Sequence, residues 1–370
     1  MSPIDLLEDF VASQILPEPA YAQYRAGNVS ESSLRPYAEA IRQISNAYIN
    51  HEAGSLLASP IQSRLAAQAY ALYYTAINAA KVVHLLPLLS FDSTTVDVLD
   101  VGSGPGTVGL ALLSASPQTL NLSCVESCSE MRAVAKGLLS AWSVPKTIGS
   151  LEIRASLALN TAQNFDLIVC ANVLVEMEEI DSRELLASLL NRLKPRGYLL
   201  LLEPGQQAHT RRLMGLRNWI IHENPELIPQ FPCLRSDRCP MLDASSTDWC
   251  HDTLEWLQPR LNAQFDSMLG FNKHRIKYSA FLFQKHGALR DGVRVITPPI
   301  KTRQGVEALI CGENLYGIAR VRKGSRSPQT RPFEKAHVFE RLLMSPPAVG
   351  DLPAGISISR ARPRAESSSG

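Results

Sequence analysis

The chain has 370 residues, of which 45% are hydrophobic and 19% are charged, so it can bury a core that serves two or three domains. No apolar run approaches the roughly 18 residues that a membrane-spanning helix needs. The composition therefore excludes a collagen, a coiled coil, a helical membrane protein and a wholly disordered chain.

The net charge of +2 conceals an uneven distribution. Residues 1–284 contain 22 Lys and Arg against 28 Asp and Glu, a net charge of −6, whereas residues 285–370 contain 15 against 7, a net charge of +8. A basic C-terminal part on an acidic body favours a polyanionic partner, although basic segments are often only solvated.

Seven cysteines, an odd number, are spread over the chain. The segment Met1–Asp9 carries acidic residues where a secretory signal or a transit peptide carries basic ones, so we expect a cytoplasmic protein. In a reducing compartment, a group of cysteines indicates a metal site or catalysis more than disulfides.

The hydrophobic periodicity changes along the chain. Residues 1–92 carry apolar side chains at helical spacing, and we predict a helical region there, with the tyrosines around Tyr73 as packing residues. Between residues 93 and 204, short apolar runs such as Val96–Val101 alternate with amphipathic stretches such as Glu130–Leu139. Strands that alternate with helices predict an α/β fold with a doubly wound, Rossmann-like parallel sheet.

Composition also divides the rest of the chain. Residues 285–326 are basic with strand-like alternation, and residues 327–370 are rich in proline and polar residues, which burial cannot order. We therefore predict four regions: an N-terminal helical region at 1–92, an α/β domain at 93–284 that includes a cysteine-bearing segment at 231–251, a basic β-rich extension at 285–326, and a disordered tail at 327–370.

The strongest local signal is a glycine-rich loop between a buried strand and a helix, formed by Gly102, Ser103, Gly104 and Gly106. Glycines allow a tight turn and a close approach of a ligand to the backbone. Asp100 lies at the end of that strand. Glu126 follows the next strand, where a carboxylate can accept two ribose hydroxyls.

The pattern Asp-x-Gly-x-Gly-x-Gly at Asp100–Gly106 resembles the first motif of class I S-adenosylmethionine-dependent methyltransferases. The resemblance implies that the loop passes beside the methionine part of S-adenosylmethionine (SAM) and that Glu126 takes the ribose hydroxyls. We therefore predict SAM as a cofactor, against the alternative of a Rossmann domain that has lost its ligand.

Two segments depart from that family's patterns. Ala155–Asn160 follows the third strand without an obvious partner for the adenine. Ala171–Met177 follows the fourth without the Asn/Asp-Pro-Pro-aromatic signature of enzymes that methylate exocyclic amines. The catalytic residues stay unassigned: Glu176 is a candidate only by its place after the fourth strand, and we expect it to be a surface carboxylate among its acidic neighbours.

Three cysteines have a Cys-x5-Cys-x10-Cys spacing at Cys233, Cys239 and Cys250, and Cys311 follows further along the chain. Four thiolates complete a tetrahedral zinc site or ligate a 4Fe–4S cluster. Zinc ligands are usually two to four residues apart, which neither gap here is, and the dipeptide Cys239-Pro240 is reminiscent of ferredoxin ligation. The spacing alone leaves a cluster, a zinc ion and buried free thiols open.

A combination of short motifs is more specific than any one of them. Glu203-Pro-Gly205, Cys239-Pro240 and Asp248-Trp-Cys-His251, placed after the glycine-rich loop, resemble the mitochondrial small-ribosomal-subunit methyltransferase-like family and its bacterial relatives. The resemblance implies a 4Fe–4S cluster, with zinc as the alternative, held by four thiols: Cys233, Cys239, Cys250 and Cys311. It also implies association with the rRNA and proteins of the small ribosomal subunit; we expect a monomer without membrane association.

Three functions remain open. The first is a SAM-dependent methyltransferase that acts on or with the small ribosomal subunit. The second is a ribosome assembly factor that keeps the fold without methyl transfer, which the missing signature after the fourth strand favours. The third is a small-molecule methyltransferase with a structural zinc, which the basic C-terminal part disfavours. The run Arg320–Arg326 either contacts phosphates or is the solvated start of the tail.

Overall fold

The structure is a computed structural model that describes residues 1–50, 60–142, 148–157, 163–345, 347–353 and 355–361. The chain divides into two compact units, a first unit formed by Met1–Pro204 and Thr253–Tyr278 and a second unit formed by Gly205–Asp252 and Ser279–Gly370. Among the described residues, no helix has the length and apolar character needed to cross a membrane.

Four helices open the first unit: α1 (Pro3–Ile15), α2 (Glu18–Ala26), α3 (Glu31–Asn50) and α4 (Arg64–Leu85). Side-chain caps define two of their starts, because the Ser2 hydroxyl accepts from the backbone N–H of Asp5 and the Ser63 hydroxyl from that of Ala66. Gly27 ends α2 in a left-handed conformation. The helices predicted for this region are present.

The first unit continues with strands and helices in alternation: β1 (Thr95–Val101), α5 (Thr107–Ala115), β2 (Thr119–Val125), α6 (Ser129–Ala141), β3 (Ile148–Arg154), β4 (Phe165–Ala171), α7 (Glu179–Leu190) and β5 (Leu193–Pro204). The five strands are parallel and lie in the order β3-β2-β1-β4-β5. The order reverses between β1 and β4, which defines a doubly wound sheet. The predicted Rossmann-like α/β fold is therefore confirmed.

The centre of this sheet is apolar on both faces. Val96, Val98 and Leu99 of β1 are at most 1% exposed, as expected for a parallel strand covered by helices on both sides. Asp100 stands opposite Cys124 of β2 on one side and next to β4 on the other. Because the carboxyl ends of parallel strands share one edge, residues that follow β1, β2, β4 and β5 meet there, at the switch point where ligands bind in open α/β sheets.

From Gly205 the chain continues as α8 (Gln207–Glu223), β6 (Leu227–Phe231), α9 (Pro240–Ala244), β7 (Asp252–Glu255), α10 (Arg260–Leu269) and β8 (Arg275–Lys285). Helix α10 belongs to the first unit. There, the Glu8 carboxylate of α1 accepts the backbone N–H groups of Leu261 and Asn262 at its start. Strand β6 pairs with β8 in the antiparallel sense.

A second sheet forms within the second unit from β9 (Val293–Val295), β10 (Ile300–Lys301), β11 (Gly305–Gly312), β12 (Leu315–Arg322), β13 (Arg341–Ser345), β14 (Gly350–Asp351) and β15 (Ser357–Arg360), with the short helix α11 (Arg331–Glu334) between β12 and β13. The strand order is β14-β12-β11-β9-β13-β15, and β10 pairs with β11. Its core contains Val293, Ile310, Phe333 and Leu342, all fully buried.

The structure differs from the predicted regions in two places. The tail predicted to be disordered from residue 327 contains α11 and β13–β15, because Phe333, Leu342 and Ile358 supply apolar side chains to the second core. Residues 362–370 lie outside the described residues. The predicted domain at 93–284 is also divided, since 205–252 and the chain from residue 279 group together. Composition records the character of a segment but not its distant partners in the fold.

Candidate functional site

The glycine-rich loop has the backbone conformation that its glycines predict. Gly102, Gly104 and Gly106 all have positive φ, at 68°, 54° and 84°. A Cβ at Gly102 would lie 2.9 Å from Val173, and one at Gly106 would lie 2.9 Å from Leu139. At Gly104 a Cβ would meet nothing within 4 Å, so this part of the loop faces open space.

Glu126 ties the glycine-rich loop to the end of β2. Its Oε2 accepts the backbone N–H of Gly104 at 2.9 Å, and its Oε1 accepts that of Cys128 at 2.8 Å. The predicted ribose acceptor is therefore held beside the loop, with both carboxylate oxygens oriented by backbone donors.

Asp100 is a buried carboxyl group without a partner. It is 1% exposed, and neither of its side-chain oxygens has a hydrogen bond. Burial, and then the charge of Glu126, raises the pKa of Asp100 to about 8. Buried polar groups in native proteins almost always have partners, so an unpartnered carboxyl at the switch point fits a site whose ligand supplies the donor.

Glu203, at the end of β5, holds the turn that follows β4. Its Oε1 accepts the backbone N–H of Leu174 at 2.9 Å, whereas its Oε2 is buried without a partner. Burial raises the pKa of Glu203 to about 8, and the nearby Glu176 adds to this rise. In the sequence, Glu203-Pro-Gly205 resembles a family motif; in the structure, the carboxyl group of Glu203 lies at the same edge of the sheet as Asp100.

Glu176 is not the surface carboxylate that we expected. It is half-buried in the turn Leu174–Glu176, whereas Glu178 and Glu179 are exposed. Burial, and then the charge of Glu126, raises the pKa of Glu176 to about 7, while a hydrogen bond from Tyr48 opposes the rise. We expected a surface position because runs of acidic residues usually lie in solvent.

Helix α4 presents polar groups to the same edge. The Lys81 ammonium is 5% exposed and donates to Asn78 Oδ1 at 2.8 Å, and Asn78 Nδ2 donates to the Tyr70 hydroxyl at 3.4 Å. Burial lowers the pKa of Lys81 to about 8, and the charge of Glu203 opposes that decrease. The signal that could have identified this face is the spacing of positions 70, 74, 78 and 81, which places them on one side of a helix.

The four predicted metal ligands line one cavity, which lies entirely in the second unit. Cys233 follows β6, Cys239 caps α9, Cys250 precedes β7, and Cys311 is in β11. The cavity has a volume of about 40 Å³. Residues separated by up to 78 positions in the sequence (233 to 311) are thus brought to one place.

The four thiols also influence one another. Burial raises the pKa of Cys250 well above its usual value, and the charges of Cys233, Cys311 and Cys239 add to the rise. The pKa values of Cys239 and Cys311 are raised by the same two causes. A group of buried thiols that resists ionisation alone would ionise with a cation bound among them. Within the described residues, however, no group of three or more His, Cys, Asp or Glu side chains is arranged to hold a single metal ion.

The segment before Cys250 is held in place by hydrogen bonds. Asp248 accepts the Tyr316 hydroxyl at 2.7 Å, and the Trp249 indole donates to the Gly205 carbonyl at 3.0 Å. The Cys250 carbonyl accepts the Ser279 hydroxyl at 3.0 Å. These bonds hold the backbone around Cys250, so residues of the Asp248-Trp-Cys-His251 motif other than the cysteine also have a structural role.

The remaining three cysteines belong to the first unit and do not line this cavity. Cys124 in β2 and Cys170 in β4 are buried in the sheet, and Cys128 precedes α6 half-buried. All three are free thiols. Cys124 and Cys170 therefore pack within the sheet, and Cys128 lies at the N-cap of α6.

The basic run Arg320–Arg326 is neither a free cationic segment nor the start of a disordered tail. It covers the end of β12 and the turn after it. Its arginines pair with carboxylates of the second unit: Arg320 with Glu307 and Asp351, Arg322 with Asp351, and Arg326 with Glu334. Part of the local positive charge is therefore balanced within the fold.

Comparison with known families decides the membership of the chain. The family model described as "Mitochondrial small ribosomal subunit Rsm22" matches residues 64–321, more than half of the chain. The chain belongs to the Rsm22 family. The matched range includes the glycine-rich loop and all four cavity cysteines, so the resemblance to the small-ribosomal-subunit family is confirmed. A search of curated proteins finds no match to this Rsm22 family member.

Solved structures with similarity to this Rsm22 family member are methyltransferases of low sequence identity. Magnesium protoporphyrin IX methyltransferase from Synechocystis PCC 6803 with bound SAM is 11% identical, covering 57% of this chain and 78% of its own, with a TM-score of 0.32. The plantazolicin methyltransferase BpumL in complex with SAH is 12% identical, covering 76% and 96%, with a TM-score of 0.32.

A SAM-dependent methyltransferase from Methanosarcina mazei is 18% identical, covering 52% of this chain and 93% of its own, with a TM-score of 0.32. At these TM-scores the fold assignment rests on the strand order, and the family assignment on the family model. Residues 158–160 of the segment Ala155–Asn160 after the third strand lie outside the described residues.

Proposed function

We propose that this Rsm22 family member is a SAM-dependent methyltransferase that acts on rRNA of the small ribosomal subunit and carries a 4Fe–4S cluster. The observation that carries the SAM proposal is Asp100, a fully buried carboxyl group without a partner beside a glycine-rich loop at the switch point of the sheet. Such a group fits the amino end of the methionine part of SAM. The family description supports the ribosomal partner.

The chain supplies further binding groups along the same edge. The open space above Gly104 allows a ligand to approach the backbone, and Glu126 offers carboxylate acceptors for ribose hydroxyls. Asp100, Glu176 and Glu203 give this edge an acidic character. SAM carries a positively charged sulfonium, so its binding favours the ionised form of these carboxyl groups, whose raised pKa values keep them largely protonated near neutral pH in its absence.

When bound, SAM supplies an activated methyl group. The chain then has to orient the acceptor and take its proton. Glu176 is placed for the second task, because it is half-buried beside Glu126 and its pKa of about 7 suits a general base near neutral pH. Glu203 fixes the turn that carries Glu176 through the backbone of Leu174.

An exposed basic edge in the second unit supports RNA as the partner. Lys301, Arg303 and Lys323 are exposed, and they lie at adjoining ends of β10, β11 and β12. The backbone N–H of Lys323 donates to the Gln304 carbonyl at 3.1 Å, which holds these ends together. We call these three residues the basic edge; their side chains suit phosphate contacts.

The donor set at the cysteine cavity fits an iron–sulfur cluster. Four thiols surround one space, and thiolates are the usual ligands of a 4Fe–4S cluster. The cluster assignment rests on this shared cavity, on the chemistry of sulfur donors and on the family resemblance. The residues that would hold it are Cys233, Cys239, Cys250 and Cys311; zinc is the alternative occupant.

Two measurements test the SAM and methyl-transfer parts. Titration calorimetry on the folded, metal-loaded protein should show SAM binding, and Asp100→Asn should weaken it; absence of heat at millimolar SAM would contradict the binding site. Mapping of small-subunit rRNA methylation in a deletion strain and in wild type then tests turnover. A missing methyl group restored by the wild-type gene supports the enzyme, whereas unchanged rRNA with defective subunits identifies a non-catalytic assembly factor.

Anaerobic purification tests the cluster. The expected result is a coloured protein with visible charge-transfer absorption and equal amounts of iron and acid-labile sulfide. A colourless protein with stoichiometric zinc would contradict the cluster and support zinc.

A further inference from the structure

Two arginines line the cysteine cavity with their charged groups out of solvent. Arg217 of α8 is 2% exposed and Arg294 of β9 is 7% exposed, and both contribute to the cavity wall. Arginine is almost never this deeply buried unless its charge is balanced.

Neither arginine has a carboxylate partner. Among the described residues, no ion pair involves Arg217 or Arg294; their donors go to uncharged oxygens instead. The Nε of Arg217 has no hydrogen-bond partner at all. The cavity wall also carries Asp237, whose charge acts on Arg217 without forming an ion pair, and Arg235, which pairs with Glu313. One carboxylate and the four thiols are therefore the acidic groups that face the two buried guanidiniums.

The hydrogen bonds of the two arginines converge on the loop that carries Cys233. Arg294 donates through Nε to the Pro232 carbonyl at 2.7 Å and through Nη2 to the Gln230 carbonyl at 3.3 Å. Arg217 donates through Nη2 to the Arg235 carbonyl at 2.7 Å and through Nη1 to the Asp237 carbonyl. One guanidinium thus holds the backbone before Cys233 and the other holds the backbone after it.

The charge of a bound metal group is opposite to that of the arginines. Four thiolates bring four negative charges, and an oxidised 4Fe–4S core returns two positive ones, so the ligated cluster carries two negative charges. A zinc ion with four thiolates carries the same net charge. The two buried guanidiniums oppose the charge of either group, whereas four neutral thiols would leave Asp237 as the one carboxylate of the cavity wall against both arginines.

We propose that Arg217 and Arg294 are positioning residues of the cysteine site: they neutralise the metal–thiolate group and clamp the Cys233 loop from both sides. This inference rests on the proposed metal cluster but makes a separate claim about two residues that are not ligands. Outer partners of this kind typically change metal affinity about 10- to 100-fold when removed.

The charge and clamp roles make different predictions. One-electron reduction by dithionite adds a negative charge to the cluster, and a nearby cation stabilises that charge. Arg217→Gln and Arg294→Gln should therefore shift the reduction potential to more negative values. Arg217→Lys and Arg294→Lys keep a cation but lose the forked hydrogen bonds, so they should keep the potential near wild type while releasing iron to a chelator about tenfold faster or more.

The experiment uses the full chain, purified without oxygen, with iron and sulfide content, a dithionite titration followed by electron paramagnetic resonance, and iron release to a chelator. Arg322→Gln is the control, because Arg322 is an exposed arginine of the second unit that pairs with Asp351 and does not line the cavity. It should leave the potential and the release rate unchanged.

The outcomes separate this inference from the cluster proposal. Wild type with iron and sulfide, and glutamine variants with wild-type potential and release rates, would overturn the role of the arginines and leave the cluster intact. If the glutamine variants fail to fold, the lysine variants decide, and a wild-type release rate in both overturns the clamp.

If wild type holds zinc, competition with a zinc chelator takes the place of the potential, and equal zinc affinity in the glutamine variants overturns the proposal. Wild type without either metal overturns both proposals.

Discussion

The carboxylate of Glu203 accepts the backbone N–H of Leu174 at 2.9 Å, which joins the end of β5 to the turn after β4. The other oxygen of Glu203 is buried and free of hydrogen bonds, and Lys81 of α4 lies close enough for its charge to act on this carboxyl group. Strand β5, the turn after β4 and helix α4 therefore come together at one carboxyl group. The hydrogen bond from Leu174 to Glu203 fixes the turn that positions the half-buried Glu176.

Two substitutions of Glu203 should distinguish the effect of its hydrogen bond from the effect of its charge. Glu203→Ala removes the acceptor for a buried N–H, so the free energy of unfolding should fall by about 1–3 kcal/mol and SAM binding should weaken. Glu203→Gln keeps a carbonyl acceptor and should cost less than the alanine variant. Urea denaturation and calorimetry measure both effects. Glu184→Gln, on the exposed side of α7, is the control; equal stability of the alanine and glutamine variants would contradict the role of the hydrogen bond.

The buried carboxyl groups predict a pH dependence of stability in the protein without SAM. Their folded pKa values, about 8 for Asp100 and Glu203 and about 7 for Glu176, lie above the unfolded values of 3.8 and 4.5. Between those limits the folded state binds more protons than the unfolded state. The contribution of these three groups to stability is therefore full below about pH 4 and is lost as the pH rises through 7 to 8. Each carboxyl contributes a loss of up to about 1.4 kcal/mol per pH unit.

The measurement is urea denaturation from pH 5 to pH 8, with Asp100→Asn as the variant that should flatten the slope. Lys81 does not affect this window, because its pKa is lowered to about 8 and its contribution changes above that pH. SAM binding should show the opposite trend, since ionised carboxylates attract the sulfonium. A SAM affinity that falls from pH 6 to pH 8 would contradict the acidic edge.

The cavity cysteines should differ from the other three in metal content. Serine at Cys233, Cys239, Cys250 or Cys311 should reduce bound iron to less than half of the wild-type amount, because each thiolate would hold one iron. Cys128→Ser is the matched control, since Cys128 is also a half-buried free thiol but lies in the first unit. Iron and sulfide assays decide, and equal iron loss in Cys128→Ser would remove the distinction.

The three loop glycines should respond differently to alanine. Gly102→Ala and Gly106→Ala place a Cβ 2.9 Å from Val173 and Leu139, in addition to the cost of positive φ, roughly 1–2 kcal/mol. Gly104→Ala has only the cost of the positive φ, so its loss of stability should be the smallest. Its Cβ projects into open space, so it should weaken SAM binding more than it weakens folding. Thermal unfolding and calorimetry compare the three, and equal losses of stability would show that the predicted contacts are unimportant.

The basic edge should govern RNA affinity. Alanine at Lys301, Arg303 and Lys323 together should weaken binding to a small-subunit rRNA fragment. The slope of log affinity against log salt concentration should also decrease by the amount expected for about three lost phosphate contacts. The control is alanine at three exposed basic residues of the first unit: Arg25, Arg42 and Lys136. Fluorescence anisotropy at several salt concentrations measures both. An unchanged salt slope in the basic-edge variant would show that RNA binds to another surface.

Some features were determined by the sequence alone. The Asp-x-Gly-x-Gly-x-Gly pattern placed Asp100, the loop glycines and Glu126 at one edge of a parallel sheet, because strand, turn and helix signals are local and the carboxyl ends of parallel strands must meet. The four thiols could be named from the spacing of Cys233, Cys239 and Cys250 together with a family resemblance.

Other features were decided only by the tertiary structure. The sequence predicts Glu176 as a surface acid and gives no signal for Lys81, and both become site residues because Glu126 and Glu203 approach them from distant strands. The two buried arginines beside the cysteines carry no sequence signal, since a single Arg looks the same in solvent and in a cavity. The region after residue 327 reads as disordered because its apolar residues are sparse, yet they are sufficient once they share a core with β9 and β11. Local composition reports what a segment can bury by itself, whereas the fold determines what it buries with others.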